Sequence, residues 1–286
     1  MKKSPPIRAD VPAGSSAQVE VIDLRADQPR VARVDEVARE EPLEIRIADE
    51  AVAVLMRTPG DDDRLALGFL LAEGLISCAA DVATVAHCGR PGAEGFGNVV
   101  NVVPAPGARI AWDRIDRSQR STVASSACGV CGRLTVEDLL AGLVGMPSGA
   151  PIPAAVVSRS VERLRERQPL FDRTGGIHAA SACAPDGTAL FTHEDVGRHN
   201  AVDKVVGSLL LARRAGGRED AALLVVSGRP GFEIVQKAAR ARIPVVAGVS
   251  APTSLAVELA ERAGITLAGF VRSGKMNLYA HPARIV

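Results

Sequence analysis

The sequence predicts an α/β protein of two domains, a small N-terminal α+β domain and a three-layer C-terminal domain. Three observations carry this. At 286 residues the chain exceeds the usual length of one domain. Apolar residues make up 47% of it and aromatic ones only 3%, so the core is built from Ala, Val, Leu and Ile, as in layered α/β folds. From residue 197 to 269, segments of helical period alternate with short apolar runs, which sets helices on the faces of a sheet.

Residues 1–40 hold seven basic and seven acidic side chains, several prolines and little periodicity, and are read as a disordered lead-in. Leu43, Ile45 and Ile47, then Val52, Val54 and Met56, alternate with polar residues, as in a hairpin with one buried face. Thr58 and Pro59 open a helix with Asp61, Asp62 and Asp63 in its first turn and Leu65, Phe69, Ala72 and Ile76 at helical spacing. Strands are expected near 82–86 and 98–103, a polar irregular stretch over 114–126, and a helix capped by Thr135. The Gly/Pro/Ser-rich run 145–153 marks the domain boundary, giving domains of 41–147 and 148–286. Beyond it the pattern predicts a helix over 153–168 and strands at 179–184 and 188–192 around Asp186-Gly187. Helices at 197–214, 231–241 and 252–263 then alternate with strands at 222–227, 244–248 and 265–269.

The formal charge is +1, from 34 basic and 33 acidic residues spread along the chain, which argues against nucleic acid or an anionic membrane as partner. No segment approaches the apolar length of a membrane helix and no apolar run follows the first lysines, so a cytoplasmic location is expected. Five cysteines, an odd number, do not form a secreted disulfide framework. Cys78, Cys88 and Cys183 are isolated and are read as buried small apolar residues.

Cys128 and Cys131 are different. Two thiols two residues apart, each followed by or near glycine, can meet on a freely bending loop, which suits disulfide exchange, sulfur carriage or metal binding. A structural zinc site needs four ligands, and no second pair of comparable spacing exists. His178, Cys183, His193 and His199 would have to fold back to complete one.

Anion-binding features cluster in the second half. In His193-Glu194-Asp195-Val196-Gly197-Arg198-His199-Asn200, Asp195 reads as a helix N-cap, and Arg198 and His199 oppose the helix dipole unless an anion joins them. Ser227-Gly228-Arg229-Pro230-Gly231 repeats the strand-to-helix turn on a neighbouring strand, so both line one crevice, with Thr174-Gly175-Gly176-Ile177-His178 as a third wall. The loop Phe270-Val271-Arg272-Ser273-Gly274-Lys275 leaves the last strand at the same edge, where Arg272 and Lys275 can meet phosphates and Phe270 a base.

Taken together, Thr58-Pro59-Gly60-Asp61, Ser126-Ala127-Cys128-Gly129-Val130-Cys131-Gly132, Thr174 to Ala180, Glu194 to Lys204 and Ser227 to Pro230 resemble the formate dehydrogenase accessory sulfurtransferase family, FdhD, over roughly residues 41–286. The resemblance implies a sulfurtransferase of carrier type. A cysteine desulfurase loads sulfane sulfur on Cys128, with Cys131 assisting, and the sulfur passes to the molybdenum or tungsten of a bis-molybdopterin guanine dinucleotide cofactor destined for formate dehydrogenase. It further implies that residues 270–275 contact that cofactor, that the C-terminal domain is cytidine-deaminase-like, and that the protein is a homodimer. The deaminase zinc ligands are not matched, since the two helix starts read His193-Glu194-Asp195 and Ser227-Gly228-Arg229-Pro230. A binding-only alternative is a cofactor chaperone stabilised by structural zinc.

Overall fold

The computed structural model describes residues 11–89, 97–112, 145–146, 150–217 and 220–286. The Cys128/Cys131 loop, the irregular stretch before it, the helix expected at Thr135 and the boundary at 147 fall outside these residues.

The lead-in reading is corrected over most of its length. Strands β1 (Ser16–Asp23) and β2 (Val31–Ala38) pair antiparallel in unbroken register from Ser16↔Ala38 to Asp23↔Val31. Val19 and Val21 alternating with Gln18 and Glu20 carried a period-two signal that the high charge obscured. The ribbon rests on the body through Arg173, whose guanidinium bonds Glu36 and Ser16.

The next four strands form a sheet in the order β4 (Glu50–Arg57), β3 (Glu41–Ile47), β6 (Val99–Pro104), β5 (Val82–His87). Leu43, Ile45 and Ile47 turn inward as expected. The alternation on β4 does not hold, because a bulge opposite Ile45/Arg46 shifts its phase. Val52, Leu55 and Arg57 are buried, whereas Val54 is exposed. Helix α1 (Asp62–Ala72) packs over this sheet.

The second half holds a six-stranded sheet in the order β12-β11-β10-β9-β7-β8. Strands β9 (Leu223–Val226), β10 (Val245–Gly248) and β11 (Thr266–Arg272) are parallel. Strands β7 (His178–Cys183), β8 (Ala189–Asp195) and β12 (Lys275–Ala280) complete it by antiparallel pairing. Both faces are buried, so the central strands are continuous apolar runs. Leu223 and Val225 face helix α2 (Ala154–Arg165), while Leu224 and Val226 face α4 (Arg198–Arg214), α5 (Phe232–Ala241) and α6 (Ser254–Ala263). A short helix α3 (Pro169–Thr174) leads into β7. The loop expected over 270–275 is instead a hairpin: β11 runs on to Arg272 and turns at Ser273-Gly274 into β12.

The two sheets share one core. A continuous cluster runs from Leu43 and Leu65 through Val202 and Leu209 to Leu224 and Leu267. At its centre α1 crosses α4 with backbones in contact, because each helix offers a glycine. A Cβ on Gly68 would lie 1.9 Å from the Asp203 carbonyl oxygen, and one on Gly207 would lie 2.0 Å from that of Arg64. No helix among the described residues is long and apolar enough to cross a membrane.

Candidate functional site

The parallel strands β9, β10 and β11 deliver their carboxyl ends to one edge, and the residues singled out from the sequence gather there. Ser227 follows β9; its Oγ accepts from the Ala179 N–H at 2.9 Å while its own N–H bonds the Ala179 carbonyl, which locks the turn against β7. Gly228 follows, and a Cβ there would sit 3.5 Å from His178 Nδ1. On the neighbouring strand a Cβ on Gly248 would meet Pro230 at 2.8 Å and the Gly228 carbonyl at 3.0 Å, so this edge is built by close backbone approach.

His178 opens on a cleft of about 550 Å³ between this edge, α2 and α3. Its walls are largely apolar, with Gly176, Leu164 and Val249 beside Ser227 and Arg165. Arg165 is spoken for, since it pairs with Asp172 at 2.7 Å and lies 4.6 Å over the Phe171 ring. Burial, and then the Arg198 charge, hold the His178 imidazole below its ordinary range against the opposing pull of Asp195.

Arg198 starts α4 next to His199, as the sequence indicated. His199 is pushed down to about 3 by burial and by the charges of Lys237, Arg198 and His178, so its ring is neutral. It lies 3.0 Å through Nδ1 from Glu233 Oε2, an arrangement in which the ring donates to the carboxylate and leaves Nε2 unprotonated. The expected strain of a cation at a helix start is therefore relieved on His199 by neutrality, and only Arg198 keeps its charge there.

The 270–275 hairpin enters the same edge. The Phe270 N–H bonds the Ser250 carbonyl at 3.3 Å, and Phe270 takes φ 52 at a register shift in β11. That bulge turns the Phe270 ring to solvent, 49% exposed, and sends Val271 into the α2-side core, so Val271 offers a ligand backbone only. The tip is tied down by the Gly274 N–H on Ser158 Oγ at 2.9 Å. Ser273, Arg272 and Lys275 are exposed around it, as is Arg229 on its own turn. Among the described residues no carboxylate pairs with Arg198, Arg229, Arg272 or Lys275, so four cations stand at or near this edge with free hydrogen-bonding capacity.

Several residues of the signature motifs do something else. Asp195 is fully buried and is not the helix cap, a position Gly197 takes. Its Oδ2 pairs with Lys204 Nζ at 2.7 Å and accepts from Thr58 N–H at 3.2 Å, while Oδ1 accepts from Gly197 N–H and Asn200 Nδ2. Lys204 also reaches the Thr58 carbonyl at 2.9 Å and Asn200 the Met56 carbonyl at 2.8 Å. His193 bridges Asp61 at 3.1 Å and Ser208 at 2.8 Å, and its bond to Asp61 holds that carboxyl below its usual range. Glu194 accepts the Leu170 and Phe171 N–H groups at the start of α3. The Thr58-Pro59-Gly60-Asp61 segment and the 193–204 segment are thus two halves of one buried joint. Behind it, Lys237 Nζ lies 2.7 and 2.8 Å from the two Asp203 oxygens; burial pushes the Asp203 carboxyl up to about 7 against that pull. Nothing in the sequence marks Asp203, Lys237 or Glu233, because burial of a charge is decided by packing.

The reading of the isolated cysteines is corrected in part. Cys183 is buried in the α2-side core, where desolvation raises its thiol, but Cys78 is exposed and Cys88 half-buried. Cys183 and His193 lie on opposite faces of the six-stranded sheet, so they cannot share an ion. Among the described residues no three His, Cys, Asp or Glu side chains cluster to hold a metal.

Comparison with known proteins bears on this arrangement. The family model for the FdhD/NarQ family matches residues 38–286. The chain belongs to the FdhD/NarQ family. Among its relatives, the sulfur carrier protein FdhD of Anaeromyxobacter dehalogenans strain 2CP-C is 54% identical over 282 residues, 97% of this chain and 96% of the relative. The sulfur carrier protein FdhD of Mycolicibacterium paratuberculosis is 46% identical, covering 93% of this chain and 97% of the relative. A crystal structure of a formate dehydrogenase accessory protein from Desulfotalea psychrophila superposes with a TM-score of 0.74 at 26% identity, over 95% of this chain and 99% of that one. The fold of this FdhD/NarQ family member is therefore an FdhD fold, and the motifs that form its buried joint lie within the matched region.

Proposed function

We propose that this protein is a carrier-type sulfurtransferase that accepts sulfane sulfur on Cys128 and delivers it to the molybdenum or tungsten of a bis-molybdopterin guanine dinucleotide, needed by a formate dehydrogenase. The observation that carries the cofactor half of the reading is the edge where Phe270 is turned outward on a left-handed backbone, with Arg198, Arg229, Arg272 and Lys275 at or near it and paired with no carboxylate among the described residues. Guanidinium groups without carboxylate partners suit diphosphates, and an exposed ring suits a purine. The residues present thus fit a nucleotide-bearing substrate: Gly228 leaves room beside His178, and neutral His199 adds no charge to be neutralised.

In the loading step the Cys128 thiolate attacks the outer sulfur of the desulfurase persulfide. The donor's S–S bond breaks, its electron pair leaves with the donor thiolate, and Cys128 holds the new S–S bond. Attack by Cys131 thiolate on the inner sulfur then expels hydrosulfide and leaves a Cys128–Cys131 disulfide, which balances electrons without an added oxidant. Homologues named sulfur carrier protein and the spacing of the two thiols support this reading.

Two measurements test it. After incubation with a cysteine desulfurase and cysteine, intact-mass spectrometry is expected to find one added sulfur on Cys131→Ala, which lacks the resolving thiol, and either that sulfur or the Cys128–Cys131 disulfide on the parent, but no added sulfur on Cys128→Ala; sulfur retained on Cys128→Ala sinks the assignment. In titrations with GDP, Arg229→Ala and Arg272→Ala are expected to weaken binding by about tenfold each, the worth of one charge-assisted phosphate contact. Parent-like affinity in both removes the cofactor placement while leaving the sulfur step standing. The zinc-chaperone alternative predicts stoichiometric zinc that survives chelation.

A further inference from the structure

Helix α4 ends at a second hollow, remote from the site described above. Arg198 and Arg213 lie fifteen residues apart along the helix, about 22 Å. At that far end the last turns of α1, α4 and α5 and the turn Ala79–Asp81 enclose about 420 Å³, a size at which small-molecule sites are found. Four arginines line it: Arg213 and Arg214 in the last turn of α4, Arg240 in that of α5, and Arg242 just past it. Buried Leu71 and Leu210 floor it, and the exposed Cys78 stands in its wall. The whole chain carries a formal charge of only +1, so this gathering of cations is made by the fold.

A cation at a helix end is ordinary in itself. The unsatisfied carbonyls there carry about half a negative charge per helix, so the ends of α4 and α5 together offset about one unit. Three guanidiniums lie in those two turns. Arg240 and Arg242 have further partners of their own, which leaves Arg213 and Arg214 as the charges to be met. Among the described residues neither of these pairs with a carboxylate. Asp81, the acid in the adjoining turn, accepts instead from the Ser77 and Cys78 N–H groups, at 2.7 and 3.1 Å.

Both side chains are also held in place. Arg213 Nη2 donates to the Ala241 carbonyl at 3.5 Å, and Arg214 Nη2 donates to the Ala83 carbonyl at 2.5 Å. These carbonyls belong to different elements, α5 and β5, so each guanidinium is tethered at the rim by one contact. A guanidinium carries five N–H donors in a planar fork, and among the described residues one is used in each case. The two forks therefore meet a ligand with most of their donors open and part of their rotamer freedom already lost.

We propose that this hollow is a second ligand site, which takes a phosphate monoester or like dianion with a compact apolar body. The anion lies between Arg213 and Arg214, and the body lies against Leu71 and Leu210. Planar forks match phosphate oxygens in pairs, and a dianion meets the two charges that the protein leaves unmet. A carboxylate side chain carries one charge where two are presented. The site stands independently of the sulfur-carrier reading and of the cations at the opposite end of α4.

Cys78 gives the hollow a reporter of its own. Peptide mass spectrometry follows its alkylation by iodoacetamide on the full chain, with phenyl phosphate as the probe at constant ionic strength. The probe is expected to slow Cys78 saturably, by about tenfold at ten times Kd, while Cys88, outside the hollow, keeps its rate. Inorganic phosphate, which lacks the apolar body, is expected to bind about fivefold more weakly. Arg213→Gln and Arg214→Gln are each expected to raise the probe's Kd by about tenfold, the worth of one charge-assisted contact. Arg229→Ala and Arg272→Ala, at the cofactor edge, are expected to leave protection unchanged. Ala80→Glu sets a carboxylate at the exposed rim with every arginine kept, and is expected to abolish protection and raise the melting temperature at low salt. An unprotected Cys78 at about 10 mM phenyl phosphate overturns the proposal, as does parent-like protection in both Gln variants, or phosphate binding as tightly as its phenyl ester. If the Gln variants fail to fold, Ala80→Glu decides alone: protection that survives it refutes the site.

Discussion

Substituting Asp195→Ala tests the claim that the signature motifs form a buried joint. Asp195 is 0% exposed and Lys204 2%, so removing the carboxylate strands an ammonium in the core with two carbonyls for company. Thr58 N–H, Gly197 N–H and Asn200 Nδ2 lose their acceptor in the same stroke. Breaking a buried pair by deleting one partner costs about 3–5 kcal/mol, chiefly through the uncompensated charge. At roughly 2–4 °C per kcal/mol for a chain of this size, the melting temperature is expected to fall by about 10 °C. The control is Asp195→Ala with Lys204→Met, which removes the stranded charge and is expected to recover about half of the loss despite carrying two changes. Thermal melts followed by far-UV circular dichroism measure both. A single variant within about 2 °C of the parent, or a double variant no better than the single, refutes the reasoning.

Other outcomes follow from the same geometry. Gly207→Ala forces a methyl to within 2.0 Å of the Arg64 carbonyl oxygen and is expected to cost at least about 3 kcal/mol in urea unfolding, with Gly68→Ala similar and the pair less than additive because either alone parts the helices. His199 is depressed to about 3 in the folded protein, so it stabilises the fold above its unfolded value near 6.5 and that contribution is lost as pH falls from there toward 3. The parent is expected to lose up to about 1.4 kcal/mol per pH unit over that window relative to His199→Gln, a difference in which the opposite trend of Asp203 cancels; parallel stability–pH curves for the two proteins contradict it. Phe270→Gly is expected to relieve a left-handed backbone and raise stability by about 1 kcal/mol while weakening GDP binding, so a variant that is less stable or binds normally counts against the site.

The sequence reading and the structure diverge where tertiary contacts intervene. Asp61, Asp62 and Asp63 look like carboxylates placed for a helix dipole, yet Asp61 serves His193 and Asp62 holds the buried Arg57 at 2.9 Å. His193-Glu194-Asp195 reads as the lead into an anion-binding helix start and is a joint, because successive residues of β8 point to different neighbours: α3, the start of α1, and α4. The bulge at Phe270 has no local signature, and with it were lost both the extension of β11 and the whole of β12.

By itself the sequence determined the alternation of helices and apolar strands in the second half, because period and burial are written in the same residues. It also set Ser227, Gly228 and the 270–275 segment at one edge, since parallel strands must release their chains on the same side, whereas His178 reaches that edge because β7 enters there antiparallel to β9. Only the tertiary structure decided which charges are buried, that α1 and α4 touch through paired glycines to fuse two sheets into one core, and that the charged N-terminal segment is a two-stranded ribbon held against α3. Each of these is a long-range contact between segments that carry no mark of one another, and its energy exists only once the intervening chain has folded.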